Sequence, residues 1–276
     1  MPELPEVETV RRDVSLRYAG HTLVDIAVTG RRTVRRHPPT ELARLTGQRL
    51  VGVGRHGKYL LFEWEDGRVL VVHLRMSGQL LAAAAGDPRA LHTHGVLVFD
   101  GVGELRFVDP RTFGELFVTV PDALEEALPE LAHLGFDPLE DHMAWTQFGQ
   151  LLTARRTKLK PLIMDQHFIA GIGNMYADEI LFAAGLRPDR SSETLTAQEI
   201  RRLYRSMVET LTEAVKHRGA SLADEQYRDL FGDIGAFQRL HNVYDREGEA
   251  CPRCRSVISR VKYGGRSSFF CAHCQV

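Results

Sequence analysis

The chain has no cysteine in its first 250 residues, no Lys or Arg from Thr112 to Ala154, and no long apolar run. A bilayer span needs about 18 consecutive apolar residues, so a helical membrane protein is excluded. The acidic start lacks the basic and apolar regions of a signal peptide, and the protein is expected to be soluble and cytoplasmic. Cysteine-poor sequence of this length also excludes a disulfide framework over most of the chain. The base-free block carries eight acids between Glu115 and Asp141. Setting those aside leaves 28 acids against 35 bases, so the formal charge of −1 conceals an excess of seven elsewhere. Local potential, not net charge, decides whether phosphate binds, and a polyanionic partner therefore stays open. The acidic block reads as a solvated connector facing away from any such partner.

What is present is ordinary globular composition, 43% apolar and 26% charged over 276 residues, enough to bury two cores. Pro5 to Tyr18 fits one amphipathic helix, with Val7, Val10 and Val14 at helical spacing. Seven short apolar runs follow: Leu23–Val28, Leu50–Val53, Tyr59–Trp64, Val69–Leu74, Gly95–Phe99, Leu105–Val108 and Glu115–Val120. Hairpin-like breaks stand at Glu65-Asp66-Gly67 and Asp100-Gly101, which favours a β-sandwich or barrel over a parallel sheet. Pro121–Leu139 reads as a junction, and Ala82–Gly86 as a small loop. Beyond the junction the period becomes helical: Thr146–Thr153, a short helix opened by Pro161, and Met175–Ala184 stopped by Gly185. Thr196-Ala197-Gln198-Glu199 is a capping box opening a long helix that ends at Arg218-Gly219.

All four cysteines lie at the end, as Cys251-x2-Cys254-x16-Cys271-x2-Cys274. Two such knuckles can close a tetrahedral thiolate site on one zinc ion, and a cytosolic chain keeps its thiols reduced. Four protein ligands leave no open position for water, so the metal is structural. Between the knuckles, Val257–Ser259 and Ser267–Phe270 read as strands joined through Tyr263-Gly264-Gly265-Arg266, with Arg266 at the hairpin tip. A guanidinium there suits bidentate phosphate binding, although a tip arginine is commonly plain surface.

Met1-Pro2-Glu3-Leu4-Pro5-Glu6 offers a nucleophile that exists only at a chain end. Removal of Met1 would leave Pro2 as a secondary amine. An α-amino group titrates near 8, so at neutral pH roughly a tenth is unprotonated. Such an amine attacking a carbon at the aldehyde level gives an iminium directly. Glu3 and Glu6 place carboxylates nearby for proton transfer. The plain alternative is a helix start with Pro and acids in its first turn.

The octapeptide Pro2-Glu3-Leu4-Pro5-Glu6-Val7-Glu8-Thr9 resembles the N-terminal signature of the bacterial formamidopyrimidine-DNA glycosylases, also called 8-oxoguanine DNA glycosylases. Five further stretches agree with it: Gly57-Lys58-Tyr59, His73–Gly78 and Asp109–Gly114 as a pair, Arg155–Glu179, and the cysteine ribbon. The resemblance implies Pro2 as nucleophile, Glu3 as general acid/base and Glu6 ordering the site. It implies that Lys58 binds phosphate beside the active site, and that Met76, Arg111 and Phe113 fill the void left by an extruded nucleotide. His92, Asn174, Arg155 and Lys160 become further DNA contacts, and Arg266 grips the phosphate flanking the lesion and assists the last elimination. Taken alone, Met76 and Phe113 would read as core residues, Lys58 as a solvated hairpin lysine, and Gly171-Ile172-Gly173-Asn174 as a weak anion-binding turn. Where the family usually has a second arginine the chain has Thr112, which removes a candidate backbone contact. The stretch Arg218–Asp229, where the family carries its lesion-reading loop, is acidic and bulky instead of Ser/Thr- and Gly-rich.

The expected architecture is α+β and multidomain. Residues 1–135 form a helix on a β-sandwich, 136–245 a helical helix–two-turns–helix domain, and 246–276 a zinc ribbon, with DNA in the cleft. The expected function is a base-excision-repair DNA glycosylase and abasic-site lyase, removing oxidised purines such as 8-oxoguanine and formamidopyrimidines. Its partner is duplex DNA carrying oxidised bases or abasic sites, its only cofactor one structural zinc ion, and its state monomeric. It acts at the bacterial nucleoid. One rival is an endonuclease VIII-like glycosylase for oxidised pyrimidines, disfavoured by Leu4 and Val7-Glu8-Thr9. Another is a DNA-binding protein without catalysis, which would need neither Pro2 nor Glu3.

Overall fold

The computed structural model describes residues 1–263 and 265–276, and divides into two compact units. The first comprises Met1–His133 with His217–Gln238, the second Leu134–Lys216 with Arg239–Val276.

In the first unit, helix α1 (Leu4–Tyr18) leads eight strands: β1 (Leu23–Val28), β2 (Leu50–His56), β3 (Tyr59–Trp64), β4 (Val69–His73), β5 (Gln79–Ala83), β6 (Thr93–Phe99), β7 (Gly103–Val108) and β8 (Glu115–Thr119). They form two antiparallel four-stranded sheets, ordered β1-β6-β7-β5 and β2-β3-β4-β8. The stripe Val7, Val10, Val14 and Tyr18 enters the core with Phe62, Leu70, Phe107 and Leu116, as the spacing predicts. Tyr227 and Leu230, remote in sequence, close the same core.

Four expected elements differ in the structure. Gln79–Ala83 is an eighth strand, paired with β7, and takes in the first residues of the supposed Ala82–Gly86 loop. Only Leu80 in it is fully buried, so the sequence offered no alternation to read. Strand β2 runs on to His56, which pairs with Tyr59 and leaves Gly57-Lys58 as a two-residue turn. Gly57 supplies a φ of 55° there, the conformation a tight hairpin demands at its first central position.

Two short helices, α2 (Leu124–Ala127) and α3 (Pro129–Ala132), fill the acidic junction. The second unit then builds on α4 (Trp145–Thr153), α5 (Leu159–Ile163), α6 (Asn174–Ala184) and α7 (Ala197–Lys216). The third correction concerns α5, which opens two residues before Pro161, whose ring fits the first turn where no N–H is needed. The capping box is present: Glu199 N–H reaches Thr196 Oγ1 at 3.3 Å and Thr196 N–H reaches Glu199 Oε2 at 2.8 Å. Glu179, buried on α6, accepts the backbone N–H groups of Asn242, Val243 and Tyr244 and so fixes the chain after residue 239.

Strands β9 (Ser259–Tyr263) and β10 (Arg266–Phe270) pair antiparallel in the ribbon. The first begins at Ser259, the last residue of the expected strand Val257–Ser259, because Val257 bridges Ala250 instead. Tyr263 faces Arg266 across the tip; Gly265 there has a φ of 78°, and Gly264 lies outside the described residues. Among the described residues no helix is long and apolar enough to cross a membrane.

Candidate active site

Helix α1 starts with a reciprocal cap. Glu3 stands at the N-cap and its side chain accepts the backbone N–H of Glu6, while Glu6 Oε2 accepts the Glu3 N–H at 2.8 Å. The second oxygen, Glu6 Oε1, accepts the N–H of Ala220 at 2.8 Å. Both carboxylates are buried, as is Pro2. Two acids buried at a helix N-terminus are anchored here by backbone donors and favoured by the helix dipole. Their positions are therefore set by the backbone at the start of α1 and, for Glu6, by Ala220 as well.

One turn further, Glu8 is buried among arginines. It accepts from Arg11 (2.8 and 2.9 Å), Arg12 (2.6 Å) and Arg55 (2.9 Å). Burial would raise its carboxyl, but the hydrogen bonds from Arg11, Arg55 and Arg12 win and hold it at about 2. Arg55 spends a further nitrogen on the Gly57 carbonyl at 3.0 Å. The turn carrying Lys58 is thus tied through Arg55 to α1. Neither Glu8 nor Arg55 was singled out by sequence reasoning, since no local pattern reports a contact across 47 positions.

His73 packs edge-on against Tyr59 at 4.4 Å, and its Nδ1 accepts the Arg75 N–H at 3.0 Å. Burial first, then the charges of Arg75, Lys58 and Arg36, push its pKa down to about 3. The ring is neutral at physiological pH, so its Nδ1 is free to accept the Arg75 backbone N–H.

Met76 and Phe113 are not core residues: they are 40% and 41% exposed. Arg111 is exposed too, its guanidinium 5.0 Å from the Phe113 ring. One buried acid joins their two turns. Asp109 accepts the Ser77 hydroxyl at 2.5 Å, the Arg111 N–H at 3.2 Å and the Gly114 N–H at 2.6 Å. Arg75, His92 and Thr112 have φ values of 53°, 66° and 55°, unusual for residues with a side chain. Such strain is held in place by surrounding structure and gathers at functional sites. His92 is exposed, and its carbonyl accepts the Asp109 N–H at 3.0 Å.

In the second unit Arg155 is exposed, stacked 4.3 Å above the Phe168 ring. Asn174 opens α6, and its Oδ1 lacks a hydrogen-bond partner among the described residues. Lys160 departs from expectation. It is 2% exposed, with Nζ 2.8 Å from Asp178 Oδ1 and 2.7 Å from the Ser267 carbonyl. Asp178 in turn accepts the Phe269 N–H at 3.0 Å; burial pushes its carboxyl up to about 7 while Lys160 pulls the other way. An ammonium committed to a buried carboxylate and a strand carbonyl is not presented to phosphate. Its work is to moor β10, whose first residue is the exposed Arg266.

The four cysteine sulfurs lie within 4.8 Å of one another, with Cys251–Cys274 at 3.8 Å and Cys254–Cys271 at 3.4 Å. A zinc tetrahedron with Zn–S bonds of about 2.3 Å has edges of about 3.8 Å, so the thiols fit the ion.

Comparison with known proteins agrees from end to end. Residues 1–116 match the formamidopyrimidine-DNA glycosylase N-terminal domain, 134–226 the H2TH domain of the same glycosylases, and 248–276 the zinc finger found in FPG and IleRS. The formamidopyrimidine-DNA glycosylase of Pelotomaculum thermopropionicum is 41% identical over 276 residues, covering 100% of this chain and 99% of that protein. The chain belongs to the formamidopyrimidine-DNA glycosylase family. The relative from Herpetosiphon aurantiacus is 41% identical over 277 residues with both chains fully covered. Among solved structures, the MutM (Fpg) protein of Thermus thermophilus superposes with a TM-score of 0.88 at 42% identity, covering 99% of this chain and 98% of that one. The Lactococcus lactis Fpg in complex with abasic-site DNA gives 0.89 at 35% identity, covering 99% of each. The family fold is the one observed: helix and β-sandwich, helix–two-turns–helix domain, and zinc ribbon with one structural zinc site.

Proposed function

We propose that the protein is a base-excision-repair DNA glycosylase with abasic-site lyase activity, acting on oxidised purines in duplex DNA. The observation that carries this reading is the cap at α1, where Pro2 lies buried beside two carboxylates anchored by backbone N–H groups. The names of the relatives and the abasic-site and Fapy-dG complexes of the Lactococcus lactis protein support the same substrate class.

With Met1 removed, the Pro2 nitrogen attacks C1′ of the extruded nucleotide, and the C1′–base bond breaks. Extrusion gives the enzyme access to a carbon that is shielded inside the duplex. Glu3 protonates the sugar ring oxygen, the ring opens, and an iminium joins Pro2 to C1′. The iminium acidifies the C2′–H; loss of that proton expels the 3′-phosphate, and a second proton loss expels the 5′-phosphate. Water then releases the sugar fragment and restores the amine. Glu6 keeps Glu3 and the chain start in register.

Lys58 and Arg266 bind phosphate at the reacting nucleotide, and Arg266 assists the second elimination. Met76, Arg111 and Phe113 occupy the space the nucleotide leaves, while His92, Arg155 and Asn174 add contacts to the backbone. Lys160 enters only through β10, which bears Arg266. We assign the chemistry to residues 1–135, duplex binding to 136–245 and the ribbon contact to 246–276, in a cytoplasmic monomer. Borohydride treatment with an abasic duplex tests the reading: a covalent adduct through the chain's first residue is expected, and its absence would sink the covalent mechanism. A panel of oxidised-base duplexes separates purine from pyrimidine preference.

A further inference from the structure

We propose that Arg218 is a positioning residue for base excision, a clamp that holds the segment from Gly219 to Asp229 against α1 and thereby fixes Glu6. The inference rests on the glycosylase reading above.

Arg218 has a φ of 59°, a conformation that a residue with a Cβ adopts only when its surroundings over-determine it. They do so here. Its Nε donates to Asp229 Oδ2 at 2.7 Å and its Nη1 to Asp13 Oδ1 at 3.3 Å, with Nη2 paired to the other Asp13 oxygen. Its carbonyl accepts the Tyr227 hydroxyl at 3.0 Å. Asp13 lies on α1 and Asp229 on the loop, so one guanidinium bridges the catalytic helix and a segment remote from it in sequence.

This is not an ordinary surface ion pair, which would contribute little. Asp229 is 1% exposed and also accepts the N–H groups of Phe231 and Asp233 at 2.9 and 3.0 Å. Breaking the guanidinium contact would leave a buried carboxylate short of its cationic partner.

The clamp acts on its next neighbours. Gly219 also has a positive φ, 74°, and a Cβ built on it would lie 2.7 Å from Glu6 Oε1. The backbone is therefore laid flat against that carboxylate, and Ala220 delivers its N–H to Glu6 Oε1. The opposite oxygen of Glu6 holds the Glu3 N–H, next to Pro2. A chain of contacts runs from Arg218 through Gly219-Ala220 and Glu6 to the residue beside the nucleophile. The acidic, bulky composition of this segment supplies Asp229, the clamp's buried anchor, so what departs from a Gly-rich pattern has a mechanical use.

Three readouts test this: single-turnover excision of a damaged purine at saturating enzyme, Kd for a duplex holding an uncleavable abasic analogue, and hydrogen exchange at residues 219–229. Arg218→Ala should slow excision by about tenfold or more, since small misplacements near reacting groups carry costs of that size. Its Kd should stay within about threefold, because the phosphate contacts remain, and exchange at Ala220 should rise. Arg218→Lys, able to hold one carboxylate but not both, should fall between. Asp13→Asn should give a smaller slowing, and the double variant should be no slower than Arg218→Ala. Wild-type excision by Arg218→Ala, an equal loss in rate and affinity, or additive effects would each overturn the clamp. If Arg218→Ala does not fold, Asp13→Asn decides alone: normal excision overturns the proposal, slowed excision at unchanged Kd supports it. A wild-type protein that neither excises nor traps overturns the glycosylase reading itself, and that result is seen before any variant is made.

Discussion

Glu8 on helix α1 and Arg55 on strand β2 form a buried ion pair at 2.9 Å, and Arg55 passes the constraint to the Gly57 carbonyl. The helix that follows Pro2 and the turn that carries Lys58 therefore share one electrostatic link. Removing the acid alone, as in Glu8→Gln, would strand Arg55 in a buried place. Loss of one partner of a buried pair costs about 3–5 kcal/mol, which a denaturant titration would register as a lowered midpoint. The pH sign follows from a carboxyl held at about 2 against 4.5 when free. Its contribution is fully present above the unfolded value and is lost as pH falls through about 2. Acid unfolding of Glu8→Gln should accordingly lose that component of its pH dependence.

Pro2→Gly should lose most base excision and elimination while still binding abasic duplex, because the phosphate contacts are elsewhere. Steady-state cleavage and a gel-shift titration on the same preparation check it. Wild-type turnover, or a mature wild-type protein that retains Met1, would rule out the amine chemistry.

Cys254→Ser should weaken DNA binding by loosening the ribbon, with no direct effect on the chemical step once DNA is bound. Structural zinc contributes folding free energy outright. Elemental analysis should find one ion per wild-type chain, and a zinc-free protein with full affinity would contradict the assignment.

Lys160→Met and Arg266→Ala should separate two cations that look alike in sequence. Each phosphate contact removed flattens the salt dependence of binding by about one counterion. Arg266→Ala should show that change, together with β-eliminated product accumulating over the δ-product. Lys160→Met should instead lower thermal stability and loosen β10, since its ammonium is committed to Asp178 and Ser267. A flattened salt slope from Lys160→Met at unchanged stability would return that residue to the phosphate contacts.

Much of this arrangement was legible in the sequence, for identifiable reasons. The valine stripe of α1, the capping box at Thr196 and the cysteine knuckles are local patterns, and each folds as its spacing requires. Gln79–Ala83 was hidden because an alanine-rich edge strand does not alternate. Lys160 stood among basic residues, with nothing nearby to announce that Asp178, a turn into α6, would bury it. Glu8 and Arg55, and likewise Arg218 with Asp13 and Asp229, are paired by topology rather than by spacing. Residue types thus showed which chemistry was available, while the partners that immobilise it emerged only from the fold.

The ribbon is not a transplantable module. Cys251, Ile258, Phe269 and Cys271 share a single buried cluster with Phe182 of α6 and with Val243. Arg253 lies 4.2 Å over the Phe182 ring, and Gln275 Nε2 donates to the Leu186 carbonyl at 2.8 Å. Part of the apolar interior that this hairpin needs is therefore lent by its host. A peptide cut out at residue 246 would keep the thiols that grip the ion but forfeit the scaffold that gives the hairpin its posture. Grafting the finger onto another protein would succeed only if the recipient offered an equivalent of Phe182.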